Sequence, residues 1–146
     1  EYVEIRFMTI FGPAGRWLYL LMYLSALLFC LLPTYKKNKD NYYYRSLGAS
    51  GAVSAVIFAF IFLDPLQKMG LIFLPQGLMI PGFIFGTAYL IISSYLDKKD
   101  GSNINHSAHI WGALYGVVFL TIFGFVAKVN LFQNFISQIQ AYLSDF

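Results

Sequence analysis

With 146 residues, 58% of them hydrophobic and 12% charged, and a mean hydropathy of +0.62, the chain stands far from the soluble average, in which about a quarter of residues are charged. A water-soluble globular domain is excluded and an integral membrane protein is expected. The net charge of +3, from ten Lys and Arg against seven acids, is spread over the loops with no dense basic patch, which argues against a nucleic-acid partner.

The chain opens on EYVEIRFMTIFGPAG, read as a short surface element leading through the Gly12-Pro13 turn signal into the first span. No basic n-region, apolar h-region and cleavage site follow Glu1, so no secretory leader is expected. The lack of an initiator Met suggests a piece of a longer chain. Residues 17–32, WLYLLMYLSALLFCLL, form the first uncharged apolar run, bounded by Arg16 and by Pro33 with TYKKNKDN behind it. Such a run rises about 24 Å as a helix against a hydrocarbon core about 30 Å thick, so the helix extends past Arg16 or the bilayer thins around it. Cys30 lies in this run and, being the one cysteine, excludes an internal disulfide.

The tyrosines of NYYYR suit the headgroup level. The second run, 48–63, ends at Asp64-Pro65, where proline disfavours helix in the residue before it. The third and fourth, 77–96 and 107–127, have the length of spanning helices. DPLQKMGLIFLPQ and DKKDGSNIN carry the Pro, Gly, Asp and Asn of loops. In the tail, 129–146, Leu131, Phe135, Ile139 and Leu143 recur at helical spacing, which predicts an amphipathic helix along the interface or against the bundle. The expected fold is all-α: a single domain over 1–146, built as a polytopic transmembrane bundle of four spans with a C-terminal amphipathic helix.

Short loops make the second, third and fourth runs alternate in direction, which returns the starts of the second and fourth to one membrane face. Ser50 stands just inside the former and His109 just inside the latter. A serine hydroxyl is a weak nucleophile until a base takes its proton, and a neutral imidazole is the usual base. Gly48 and Gly51 leave room at Ser50 for a substrate backbone or a neighbouring helix. A helix start also offers the backbone N–H groups around Ser50 and Gly51 to developing negative charge.

The same residues have a plainer reading. Gly48, Ala49, Ser50, Gly51 and Ala52 are the small residues with which membrane helices pack closely, and His109 can simply hydrogen-bond a neighbouring backbone. Gly112 and Gly116, in GALYG, form a GxxxG suited to close packing. His106 reads as a solvated loop residue. Two histidines three apart, with no cysteine or glutamate nearby, make a poor metal site, and no metal is expected. Asp64 stands at the far end of the second run, so the residues support a dyad and not a triad.

GASG at 48–51 and AHIWGALYG at 108–116 resemble the rhomboid intramembrane serine proteases, whose pattern is G-x-S-G followed by A-H-x-x-G-x-x-x-G. FGPAGRWLYLLMYLSALL resembles the family's passage from a loop into the helix before the serine helix, so the resemblance covers nearly all of the chain but the tail. It implies Ser50 as nucleophile, His109 as base, no metal or organic cofactor, and transmembrane proteins as substrates. It further implies a place in the lipid bilayer of the cell (inner) membrane, with the active site toward the extracytoplasmic face. The third run would gate lateral substrate access, with Pro81, Gly82 and Gly86 loosening its ends.

This chain departs from the family pattern in three places. The family's H-x-x-x-N, on an earlier helix, helps form the oxyanion hole; it is absent here, as are the first two family helices. The chain is therefore expected to be the C-terminal part of a longer protein, inactive or weakly active alone. Ser54 stands one turn after Ser50, where several members carry a tyrosine packed under the histidine. The implied sidedness puts Lys36, Lys37, Lys39, Arg45, Lys98 and Lys99 outside and Arg6, Arg16, Lys68 and Lys128 inside, against the usual charge bias. The alternatives are a non-catalytic rhomboid-like protein that binds membrane clients and a structural membrane subunit; the oligomeric state is not legible.

Overall fold

Gly12 and three prolines set most of the element boundaries. Gly12 has a φ of 60°, a conformation open to glycine, and separates α1 (Tyr2–Phe11) from α2 (Gly15–Phe29) through a 3-10 turn at Gly12–Ala14. The chain reverses there. The ring of Phe7 meets that of Tyr19 at 5.7 Å, Arg16 Nε pairs with Glu4 Oε1 at 3.0 Å, and a side chain on Gly15 would strike the Phe7 carbonyl. The opening residues thus form a helix at the surface that is packed onto α2 through Phe7, which is fully buried.

Pro33 acts four residues back. It cannot donate to the carbonyl of Phe29, and α2 ends at that residue, turning at Cys30 into α3 (Leu31–Asn38). Pro33 then lies in the first turn of α3, where its missing N–H is not needed, so helix continues beyond the expected stop.

The computed structural model describes residues 2–41, 43, 49–70, 79–97 and 106–145. α4 (Ser50–Leu63) stops before Pro65. Lys68-Met69 (β1) then pairs antiparallel with Ile80-Pro81 (β2), Lys68 opposite Pro81 and Met69 opposite Ile80. This clip, tightened by the Gly82 N–H on Gln67 O and the Phe83 N–H on Pro65 O, each at 2.9 Å, starts α5 at Gly82 and carries it to Asp97. The third helix thus begins later than residue 77; residues 77 and 78, like Gly48, lie outside the described residues.

α6 (His106–Val126) closes with the Val129 N–H on Gly124 O at 2.8 Å and the Lys128 N–H on Phe125 O at 3.0 Å. Lys128, with a φ of 59°, takes the left-handed position that glycine usually fills in this C-terminal motif. Asn130 next caps α7 (Leu131–Ser144), its Oδ1 accepting from the Gln133 N–H at 2.9 Å. α7 folds back onto the bundle, Phe135 5.3 Å from Phe62 and Tyr142 5.9 Å from Phe83.

Among the described residues two stretches are long and apolar enough to cross a membrane, Tyr2–Pro33 and His106–Val126; Ser50–Leu63 and Gly82–Asp97 are apolar but shorter. The reversal at Gly12 means that Tyr2–Pro33 is not one rod, and its straight part is α2. Of the four spans expected from the sequence, two are thus matched by length among the described residues, while α4, stopped before Pro65, and α5, started after the β1–β2 clip, are shorter there.

The core divides along the helices. Phe7, Met22, Phe62, Phe119 and Leu120 fill one end, whereas Ala26, Cys30, Ala52, Ala55 and Ala108 fill the other. Small side chains let helix backbones approach at this second end.

Candidate active site

Ser50, exposed, is the first residue of α4, and Gly51 beside it is buried. A side chain on Gly112 of α6 would run into the Gly51 carbonyl, and one on Gly116 into the Ala55 carbonyl. Residues four apart on α4 thus meet residues four apart on α6 in the same order, so the two helices run in one direction with backbones touching over successive turns. Gly51 is enclosed further by the α2–α3 turn and by α6: a Cβ there would lie 2.7 Å from Cys30 Cβ and 3.0 Å from the Ala108 carbonyl oxygen. Ser50, one residue before Gly51, and His109, one turn before Gly112, accordingly stand at the same end of the α4–α6 pair.

No side chain caps α4, which follows Ala49. The N–H groups of its first turn lack intrahelical acceptors and mark the positive end of the helix dipole. They can stabilise an anion developing beside Ser50 from one side.

His109 is partly buried. Its ring stacks on Tyr89 of α5, with centroids 6.1 Å apart and planes 29° apart, and meets His106 edge-on at 5.9 Å and 85°. Tyr89 Oη lies 3.0 Å from Ser54 Oγ, one turn after Ser50, and its ring touches Phe58 and Phe85. Among the described residues no hydrogen bond joins Ser50 to His109, and no carboxylate pairs with His109. Catalytic hydrogen bonds are often long before substrate binds.

His106 is no solvated loop residue. It is the first residue of α6 and 7% exposed, and its Nδ1 has no hydrogen-bond partner among the described residues. The spacing of His106, His109, Ala113 and Gly116 places all four on one helix face, which carries the ring into the bundle once the helix starts at His106. Asp64 lies at the other end of α4, held by Arg6 Nε and Nη2 at 2.9 Å each and by the Tyr2 hydroxyl at 3.2 Å. Among the described residues no group of three His, Cys, Asp or Glu is placed to hold a metal.

Tyr89 escaped the reading of the sequence. Its signal was the stripe Gly82, Gly86 and Ser93, buried along α5; Tyr89 falls on the same face at helical spacing.

The Rhomboid domain family model matches residues 4–126, from within α1 to the end of α6. The chain belongs to the rhomboid family. As a rhomboid it is a membrane protein, in keeping with its apolar helices. Ser50 and His109 both fall within the rhomboid match, and α7 lies beyond it. No curated protein and no solved structure matches this rhomboid chain.

Proposed function

We propose that this rhomboid is an intramembrane serine endopeptidase that cuts transmembrane proteins through Ser50 and His109. The observation that carries the reading is the backbone contact of Gly51 with Gly112, which supports a meeting of the two side chains at one end of α4 and α6. In the proposed reaction Ser50 Oγ attacks a peptide carbonyl while His109 takes its proton. The imidazolium protonates the departing amine, and a water deprotonated by His109 then releases the acyl group from Ser50. The N–H groups opening α4 supply one side of the oxyanion hole.

A carbonyl inside an intact helix is already hydrogen-bonded and shielded, so the substrates proposed are membrane segments with helix-destabilising residues near the Ser50 end. We assign that end to the extracytoplasmic face of a multi-pass protein, and α5 to the gate through which substrates reach it.

A second reading, a non-catalytic rhomboid that binds clients, draws support from the contacts of His109, which among the described residues are with aromatic rings and not with Ser50. Labelling of the natural-length protein with a fluorophosphonate separates the two. Wild type is expected to react, Ser50→Ala not at all, and His109→Ala slower by about 10²–10⁴-fold. Labelling that survives Ser50→Ala overturns the nucleophile assignment. A wild type that neither reacts nor cuts a membrane reporter leaves client binding as the function.

A further inference from the structure

We infer that Tyr89 of α5 is the positioning residue for His109, held in turn by Ser54, so that the placement of α5 decides whether the base is aligned. The inference rests on the protease reading of Ser50 and His109.

An imidazole that acts as a base is ordinarily oriented by a carboxylate or carbonyl on its second nitrogen. Among the described residues no carboxylate pairs with His109, and the contacts shown on its ring are with two other rings. Tyr89 offers its face at 6.1 Å and 29°, the offset-stacked arrangement that aromatic rings prefer, and His106 covers another side at 85°.

Tyr89 is itself fixed. Its hydroxyl lies 3.0 Å from Ser54 Oγ, on a serine only 2% exposed, and its ring is tilted against Phe58 at 5.8 Å. His109, Tyr89 and Ser54 therefore link α6, α5 and α4, and the last link returns to the helix that carries Ser50.

α4 holds its two neighbours with different stiffness. α4 and α6 touch backbone to backbone at Gly51–Gly112 and Ala55–Gly116, a register that cannot slide without collision. α5 meets α4 through side chains: a Cβ on Gly86 would lie 3.1 Å from Ile61 Cδ1 and 3.3 Å from the Phe58 ring. A shift of α5 thus withdraws the tyrosine ring from His109 while Ser50 keeps its place. The helix proposed as the gate is then also the support of the base.

The test uses the natural-length protein in detergent, isotope-labelled at histidine, and a soluble fluorophosphonate, whose reaction needs no access for a membrane helix. Tyr89→Leu is expected to slow labelling by about 100-fold, the order reached by a misplacement of about 1 Å, and to move the His109 ring-proton resonances downfield. Tyr89→Phe keeps the stacked ring and is expected to restore labelling to within about tenfold of wild type, with Ser54→Ala in the same range, each losing one hydrogen bond. In wild type the His109 resonance, assigned by its loss in His109→Ala, should lie upfield of a free imidazole. That arm stands even if Tyr89→Leu fails to fold. An unshifted His109 ring, or Tyr89→Leu labelling at the wild-type rate, overturns the inference. A wild type that does not label while its His109 ring is shifted overturns the protease reading and leaves the stack in place.

Discussion

Asp64 receives both arms of the Arg6 guanidinium at 2.9 Å, with side-chain exposures of 36% for the arginine and 20% for the carboxylate. An exposed pair contributes about 0–1 kcal/mol, whereas breaking a buried one costs about 3–5 kcal/mol. This fork, half in solvent, belongs between them. Asp64→Ala is expected to lower stability by about 1–2 kcal/mol, and Arg6→Lys, which keeps the charge and loses the fork, by less. Thermal unfolding in detergent checks both; an Arg6→Lys as damaging as Asp64→Ala would show that the fork, not the charge, dominates. That Asp64 stands away from His109 was legible from its place at the end of the second run. Its partnership with Arg6 was not, because the pair exists only after Gly12 has folded α1 back.

Among the elements, the glycines of α5 and α6 face different neighbours, and the difference fixes the sign of a substitution. A methyl on Gly112 meets the carbonyl of Gly51, which belongs to backbone and cannot move without parting α4 from α6. Gly112→Ala is expected to cost about 1–3 kcal/mol and to slow labelling of Ser50. A methyl on Gly86 meets only side-chain ends, Ile61 Cδ1 at 3.1 Å and Phe58 Cε1 at 3.3 Å. That crowding is offset by the roughly 1 kcal/mol that alanine gains over glycine inside a helix. Gly86→Ala should therefore leave unfolding within about 1 kcal/mol of wild type, and equal losses for the two variants would sink this distinction. GALYG could be read as a close-packing signal, but the residues it meets depend on how α4 lies against α6. Helix ends were legible where proline acts locally, as at Asp64-Pro65. They were misread where proline acts at a distance, as Pro33 does on Phe29, or where two residues apart in the chain pair as strands, as Met69 and Ile80 do.

Taken whole, the molecule has a bulky end and a small-residue end, and the proposed chemistry belongs to the second. The apolar runs were legible because membrane helices announce themselves by composition alone; the division between the ends was not, since it arises from which faces meet. Leu131, 6% exposed, packs with Phe62, Phe119 and Leu120 at the bulky end, outside the rhomboid match at 4–126. Leu131→Ala empties this space and is expected to cost about 2–4 kcal/mol. Measured below the unfolding temperature, the rate of Ser50 labelling should stay at the wild-type value, because the Gly51–Gly112 and Ala55–Gly116 contacts lie with Ala52 and Ala108 in the other cluster. A Leu131→Ala variant that unfolds early yet labels normally supports two independent ends. One that labels slowly while still folded would mean that α7, through Leu131 and Phe135, reaches the site by way of α4, and that the rhomboid domain of this chain does not function apart from its tail.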